Sequence, residues 1–495
     1  MEPTPPIELT GARARWSGAV DVPAAARSEL ARICPVVDDE QDVAERSRDW
    51  WPLALHWSLA GEVPARAALA ARPESTEQVA AVVRVCAEHG LPLTVAGGRS
   101  GVTGASVPVF GGVLLDITGL AGLADVDATS GVVEVLAGTF GPDLERALQA
   151  HHGLSVGHFP QSFEIATVGG WVACRGAGQY STRYGKIEDL VVGLEVVLAD
   201  GAVVRTGGAP AAAVGPDLTQ LFLGSEGTLG VVTRVWLRAH PVPAGDGRAA
   251  YRLPSFAAGI EACRQILRRG ATPAVLRLYD AVESARGHGG DGTSCVMLVL
   301  DEGEPAIVDV TMAVVAEVCE AAGAEPAPVS LVADWLEHRN DTSALQDLTR
   351  KGLVVDTMEI AGSWSRLPGL YDQVLARLMD VEHARVASCH LSHSYADGAC
   401  LYFTFAATPP PDEVESTYIA LWNAGQRAVL ANGGNLSHHH GVGINRARFM
   451  GEALGPSFGV LAAVKHALDP RGILNPGKLG LPSPFGDPPW PGGAV

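Results

Sequence analysis

Residues 164–178 read EIATVGGWVACRGAG, residues 224–230 read GSEGTLG, and a third glycine-rich run, VAGGRSG, occupies 95–101. Glycine loses more backbone freedom on folding than any other residue, so such clusters mark chain held in unusual φ/ψ or pressed against a neighbour. None of the three is a P-loop or a G-x-G-x-x-G fingerprint. Successive N–H groups in turns of this kind form concavities that bind pyrophosphate oxygens without a lysine. A single turn says little, because an ordinary tight turn has the same composition. Three of them beside strand signals point to a dinucleotide held by backbone.

Length and charge narrow the field further. A chain of 495 residues exceeds one ordinary core and suggests two to four domains. The formal charge of −19 argues against a nucleic-acid partner, since phosphate contact needs basic surface. No apolar run approaches the roughly 18 residues of a spanning helix. The start, MEPTPPIELTGARARW, has no apolar core, so no secretory signal is expected. Eight scattered cysteines without a C-x-x-C fit reduced, buried thiols in a cytoplasmic protein better than a disulfide framework.

The pattern along the chain alternates strands and helices. Residues 1–69 read as a helical extension carrying Trp50 and Trp51. A helix opens between Glu74 and Glu77 with Ser75 as its cap, and its apolar positions recur at helical spacing up to Cys86. LPLTVAGG then reads as a strand running into a glycine turn. GGVLLDITGL, GVVEVLAGT, LVVGLEVVLADGAVVRTGG and LGVVTRVWLRAHPVP supply further strands, with the Asp-Gly at 200–201 as a hairpin signal. VPAGDG after His240 marks a boundary. Strands such as AVLRLYD and helices such as VDVTMAVVAEVCEAAG follow, and the Pro/Gly-rich 483–495 reads as a disordered tail.

The order of GGRSGVTGA, ATVGGWVACRGAGQYSTRYGKIEDLV and GSEGTLGVVTRVWLR resembles the FAD domain of the vanillyl-alcohol-oxidase/p-cresol-methylhydroxylase superfamily. YADGACLYFTF, LANGGNLSHHHGVG and LDPRGILNPGKL resemble its alkyldihydroxyacetonephosphate synthase (alkylglycerone-phosphate synthase) branch, over roughly residues 12–480. The resemblance implies an α+β fold: a two-subdomain PCMH-type FAD-binding domain at 70–243 and a cap domain at 244–430 with an antiparallel sheet flanked by helices. Residues 431–482 would return to the flavin site. It implies non-covalent FAD contacted by Ala96, Gly97, Gly98, Arg99, Ser100 and Gly101; by Gln161, Ser162, Thr167 and Gly170; by Cys174, Arg175, Gly176 and Ala177; and by Gly224, Ser225, Glu226, Gly227, Thr228, Leu229 and Gly230. Between two glycines, Glu226 is expected to contribute backbone.

Adjacent residues on an extended segment alternate sides, so at most two of His438, His439 and His440 can face one site. Tyr402 lies on the polar side of a strand whose Leu401, Phe403 and Phe405 face inward. The resemblance assigns proton transfer to Tyr402 and the histidines, and substrate positioning to His158 and Arg277. Where the family carries a substrate-gripping arginine in a Y-L-R-D segment, this chain has Gln346, leaving Arg339 or Arg350 to hold an anionic group. Hydroxy-acid dehydrogenases of the superfamily hold a metal through an H-x-G-D-G-N-L-H segment; Leu401 and Tyr402 stand where its second histidine is sought, so no metal is expected. The implied activity is redox-neutral: an acyl group is exchanged for an alkyl group through a flavin N5 adduct, on the family's substrate or an altered one. The alternative is a FAD-linked oxidase or dehydrogenase of a 2-hydroxy acid or alcohol. Either way the substrate is small or lipid-like, with peripheral membrane contact and a homodimer left open.

Overall fold

The β-branched segments pair into three principal sheets in the computed structural model, which describes residues 7–8, 10–342 and 344–491. In the first, Val113–Asp116 lies between Leu69–Ala71 and Leu93–Ala96, parallel to both, with Val36–Val37 antiparallel at the edge. Val113–Asp116 is buried throughout, as the inner strand of a covered parallel sheet must be. The helix Thr76–His89 begins where the sequence places it: Ser75 accepts the Gln78 N–H. It packs its Val79, Val82, Val83 and Cys86 into the core that also holds Ala26 and Leu30 of the helix Ala24–Ile33.

The second sheet is antiparallel, in the order Val203–Arg205, Val191–Val197, Val231–Arg238, Val132–Leu136, Leu123–Asp127. Its first hairpin turns at the expected Asp-Gly, with Gly201 at φ 80°. Strand Gly245–Leu253, just past the expected boundary, starts the third sheet. This sheet has seven antiparallel strands and runs Glu325–Ala327, Gly245–Leu253, Cys295–Gly303, Val275–Tyr279, Ala384–Ser394, Gly398–Ala407, Val354–Ser363. Leu401, Phe403 and Phe405 share a core with residues of the helices Leu367–Met379 and Val414–Ala431, which leaves Tyr402 and Thr404 on the opposite face.

Two expectations about the chain ends do not hold. Val36–Val37 and Leu69–Ala71 belong to the first sheet, so residues 1–69 are not a separate helical extension. Two- and three-residue strands give too short a period to read. The tail is not disordered up to Pro491: Trp490 is buried, its ring 5.2 Å from that of Trp51 and 5.7 Å from that of Trp57. One large aromatic outweighs the Pro/Gly composition around it. Residues 492–495 lie outside the described set. The segment 431–482 does return to the first sheet: the Leu93 N–H donates to the Ile473 carbonyl and the Asn475 N–H to the Leu93 carbonyl. Among the described residues, no helix is long and apolar enough to cross a membrane, and all eight cysteines are free thiols.

Truncating the tail anchor tests its weight. Trp490→Ala should lower the guanidinium unfolding midpoint, with a cost of about 3–5 kcal/mol, the usual range for emptying a buried Trp site. An unchanged midpoint would show that the tail only rests on the surface.

Candidate active site

A cavity of about 900 Å³ opens between the first glycine turn and the face of the seven-stranded sheet that carries Tyr402. That volume is near the top of the usual range for ligand sites, about 300–1,000 Å³. Gly97 and Gly98 are glycine because the 161–167 loop presses on them: a Cβ would come within 2.3 Å of Thr167 Oγ1 and 1.9 Å of the Ile165 carbonyl oxygen, respectively. Among the described residues, the backbone N–H groups of 98–101 find no acceptor. In the turn at 224–230 the donors are divided: Ser225, Glu226 and Thr228 spend their N–H groups on the carbonyls of Phe222, Ala173 and Ser225, while those of Gly227, Leu229 and Gly230 find no backbone acceptor among the described residues. Unspent donors beside a cavity are rare without a ligand. A run of four suits the oxygens of a pyrophosphate, so the residues present fit a dinucleotide cofactor.

Of the expected cofactor residues, Gly97, Gly98, Arg99, Ser100, Gly101, Gln161, Ser162, Thr167, Gly170, Cys174, Gly176, Ala177, Ser225, Glu226, Gly227 and Gly230 line the cavity. Ala96, Arg175, Gly224, Thr228 and Leu229 do not. Ala96, Thr228 and Leu229 are buried in the domain, and Arg175 turns away to the Gln220 side chain. Gly224 is required by close approach, since a Cβ there would meet Arg175 at 2.6 Å.

The triple histidine is shaped by two buried carboxylates, Glu359, which the sequence did not single out, and Glu226, whose side chain was given no role. Glu359, on strand Val354–Ser363 and wholly buried, accepts the N–H groups of His438, His439 and His440 through Oε1 at 3.2, 3.1 and 2.8 Å. The same carboxylate pairs with the buried Arg446 and lies 3.0 Å from His440 Nδ1. Glu226, from the FAD side, accepts the Val442 and Gly443 N–H groups at 2.6 and 2.8 Å. Its side chain therefore holds the turn, where backbone contact alone had been expected. Burial pushes the Glu226 carboxyl up to about 7. Burial acts the same way on Glu359, but Arg446 first and then His440 override it and hold that carboxyl well below the usual range.

Held this way, His439 and His440 line the cavity and His438 does not, in keeping with the limit of two. The Tyr402 ring stacks on His390 at 4.7 Å and lies edge-on to His440 at 5.6 Å, with its hydroxyl donating to Thr357 Oγ1 at 3.0 Å. Burial raises its pKa, so it is a proton donor at rest. Arg277 donates through Nη2 to His390 Nε2 at 2.7 Å, and His390 Nδ1 lies 3.1 Å from Glu283 Oε1. Because Arg277 can only donate, the His390 proton sits on Nδ1 facing the carboxylate. Arg339 also lines the cavity. Its guanidinium lies 5.7 Å from the Trp335 ring, that of Arg277 lies 5.4 Å from the same ring, and Arg339 Nε is buried without a partner.

Three expected residues fall elsewhere. His158 is buried behind the cavity against Trp171 at 4.7 Å, with neither ring nitrogen hydrogen-bonded, and burial lowers its pKa to about 3. It is placed to pack, not to touch substrate. Gln346 is buried and accepts the Glu8 N–H at 2.7 Å; Arg350 pairs with Glu8 and Asp347. Neither lines the cavity, because the helix Ala344–Arg350 presents Leu345 and Leu348 there instead. The ring nitrogens of His393, His438 and His439 lie within 4.8 Å of one another, a spacing one cation can take. The expectation of no metal came from the missing second histidine of the segment that His393 begins.

A backbone-lined dinucleotide wall facing a phenol, imidazoles and two arginines defines a flavoenzyme site. Residues 67–207 match the FAD binding domain model and residues 246–479 match the model for the C-terminal domain of FAD linked oxidases. The chain is 32% identical to the uncharacterized FAD-linked oxidoreductase YgcU of Escherichia coli K12, over 82% of this chain and 87% of that protein. It is 30% identical to alkyldihydroxyacetonephosphate synthase of Dictyostelium discoideum, over 85% and 74%. A solved structure of an alkyldihydroxyacetonephosphate synthase superposes with a TM-score of 0.78 at 25% identity, over 96% of this chain and 90% of that one. The chain belongs to the FAD-linked oxidase family, within the vanillyl-alcohol-oxidase/p-cresol-methylhydroxylase superfamily.

Glu359→Gln removes the charge that Arg446 and the histidine turn require. At neutral pH the loss should be about 3–5 kcal/mol, as for breaking a buried pair, read as a lower unfolding midpoint. The depressed carboxyl stabilises the fold fully above its unfolded pKa of about 4.3 and loses that contribution as pH falls toward its folded value. The gap between wild type and variant should therefore narrow below about pH 4.3. A gap independent of pH would mean the carboxylate charge is not what holds the turn.

Proposed function

We propose that this protein is a FAD-dependent enzyme of the alkylglycerone-phosphate synthase type, holding FAD non-covalently and exchanging an acyl for an alkyl group on a small phosphorylated ketone. The observation that carries the reading is the protonated, desolvated Tyr402 stacked on His390 in one cavity with Arg277 and Arg339. FAD, when bound, supplies the electron-accepting centre that either exchange or oxidation needs. Arg339 and Arg277 are suited to a phosphate, since a guanidinium fork matches its oxygens bidentately. Tyr402 would give its proton to the departing acyl oxygen, and His439 or His440 would take the proton of the incoming alcohol. One C–O bond breaks, another forms, and no net oxidation occurs. The replacement at Gln346 loses its weight against this substrate, because Gln346 lies outside the cavity.

A second reading is an oxidase or dehydrogenase of a 2-hydroxy acid, favoured by the 28% identity to glycolate oxidase subunit GlcD of Bacillus subtilis. Anaerobic mixing with palmitoyl-dihydroxyacetone phosphate and, separately, with D-lactate distinguishes them. Exchange should leave the flavin oxidised at the end of the reaction and release palmitate when a fatty alcohol is added. Persistent bleaching by D-lactate with no palmitate release would overturn the first reading in favour of the second.

Tyr402→Phe should keep its FAD and lose about 10²–10⁴-fold in kcat, the usual worth of a general acid or base; wild-type turnover would reduce Tyr402 to a packed strand residue. Arg339→Ala should raise KM for the phosphate ester about 10- to 100-fold, the equivalent of a hydrogen bond to a charged group. Gln346→Arg should leave KM unchanged, and a marked gain in affinity would return position 346 to the substrate site.

A further inference from the structure

Glu283 is a buried carboxylate with no part in the proton transfers assigned to the cavity. It stands on the helix Ala281–Gly287, lines the cavity and keeps Oε2 buried without a partner. Such an oxygen costs stability, so its presence calls for a reason. Asp280 sets its place: Oδ1 accepts the Glu283 N–H at 2.8 Å, and Oδ2 accepts the Cys389 N–H at 2.7 Å. One aspartate thereby fixes the helix that carries Glu283 against the strand that carries His390. From there Glu283 Oε1 meets His390 Nδ1 at 3.1 Å, while His390 Nε2 accepts from Arg277 Nη2 at 2.7 Å. We propose that Glu283 is a positioning residue, which acts through the His390 tautomer to hold Arg277 toward the anionic group of the substrate.

A neutral imidazole carries one N–H, on either of its nitrogens. Burial first, and Arg277 after it, lower the His390 pKa, so the ring is neutral. With a carboxylate at Nδ1 the proton stays there, and Nε2 presents its lone pair to Arg277. Without that carboxylate the proton is free to move to Nε2, where N–H would meet N–H and push the guanidinium away. The half-exposed Arg286 lies 3.8 Å from the same Oε1, too far for a hydrogen bond that could replace the imidazole. Arg277 is pinned on its other sides, because Nε donates to the Tyr279 hydroxyl at 3.0 Å and the guanidinium lies 5.4 Å from the Trp335 ring. Those bonds engage Nε and Nη2 and leave the Nη1 protons unspent among the described residues. A guanidinium held in this way offers a fixed edge to the oxygens of a bound anion.

The proposal rests on the reading that Arg277 grips an anionic substrate, so its test has an arm that needs no substrate. In holoenzyme carrying isotope-labelled histidine, proton–nitrogen correlation NMR shows which His390 nitrogen bears the proton; the His390 signals are those missing from His390→Gln. Wild type and Glu283→Gln, whose amide oxygen still accepts at Nδ1, should both show Nδ1–H. Glu283→Leu should show Nε2–H, and Glu283→Ala is read in its place should the leucine variant not hold FAD. With palmitoyl-dihydroxyacetone phosphate and a fatty alcohol, Glu283→Leu should raise KM about 10- to 100-fold, the equivalent of a hydrogen bond to a charged group. The kcat should move less, because the ring keeps its stack on Tyr402, and Glu283→Gln should keep the wild-type KM. Adding Glu283→Leu to Arg277→Ala should cost little more than Arg277→Ala alone, as for two residues that act in one line. An unchanged tautomer in Glu283→Leu, a KM that does not follow the tautomer, or additive effects in the double variant overturns the proposal. So does a Glu283→Gln as impaired as Glu283→Leu, which would make the carboxylate itself the acting group. The expected tautomers with no turnover of palmitoyl-dihydroxyacetone phosphate would sustain the positioning role and overturn the substrate assignment.

Discussion

One buried carboxylate organises the site. Glu359 accepts three consecutive backbone N–H groups and pairs with an arginine that has no solvent exposure. A buried ion pair is a poor source of net stability, because the desolvation of two charges offsets their attraction; its loss is nevertheless costly, because one charge would be left alone. What such a pair secures is geometry. Three adjacent amides aimed at one oxygen cannot be rearranged singly, so the directions of His438, His439 and His440 are set together. Glu226 does the same for Val442 and Gly443 from the FAD domain. The histidine turn is therefore clamped between both walls of the cavity.

The glycines serve two different ends. At 97–98 they allow the 161–167 loop to approach to contact distance and close one wall. At 224 and 230 they make room for Arg175 and Val196 side chains. The 98–101 stretch borders the cavity with its N–H groups turned to no backbone acceptor among the described residues, so the pyrophosphate contact is expected there first. The cap sheet forms the other wall, because the period of two on strand Gly398–Ala407 buries Leu401, Phe403 and Phe405 and leaves Tyr402 lining the cavity.

Local rules were legible and long-range ones were not. The cap at Ser75, the hairpin at Gly201, the alternation around Tyr402 and the limit of two cavity histidines all depend on residues a few positions apart. Glu359 and Glu226 could not be read this way: each meets the turn across a wide gap in sequence, and a carboxylate in a strand or a glycine loop looks the same whether it faces water or amides. Trp490 was hidden by its Pro/Gly surroundings. His158 and Gln346 show the opposite error, in which a position matched to a family pattern was given a substrate role while its side chain in this chain faces Trp171 or Glu8, and Arg350, offered in place of the family arginine, pairs with Glu8.

The central claim is that FAD lies between the 98–101 amides and the Tyr402 face. A crystal structure of the protein with FAD tests it most directly. The account expects pyrophosphate oxygens within hydrogen-bond distance of the N–H groups of 98–101, and the isoalloxazine facing Tyr402, His439 and His440. A pyrophosphate seated on the 224–230 turn, or an isoalloxazine turned away from Tyr402, would contradict it.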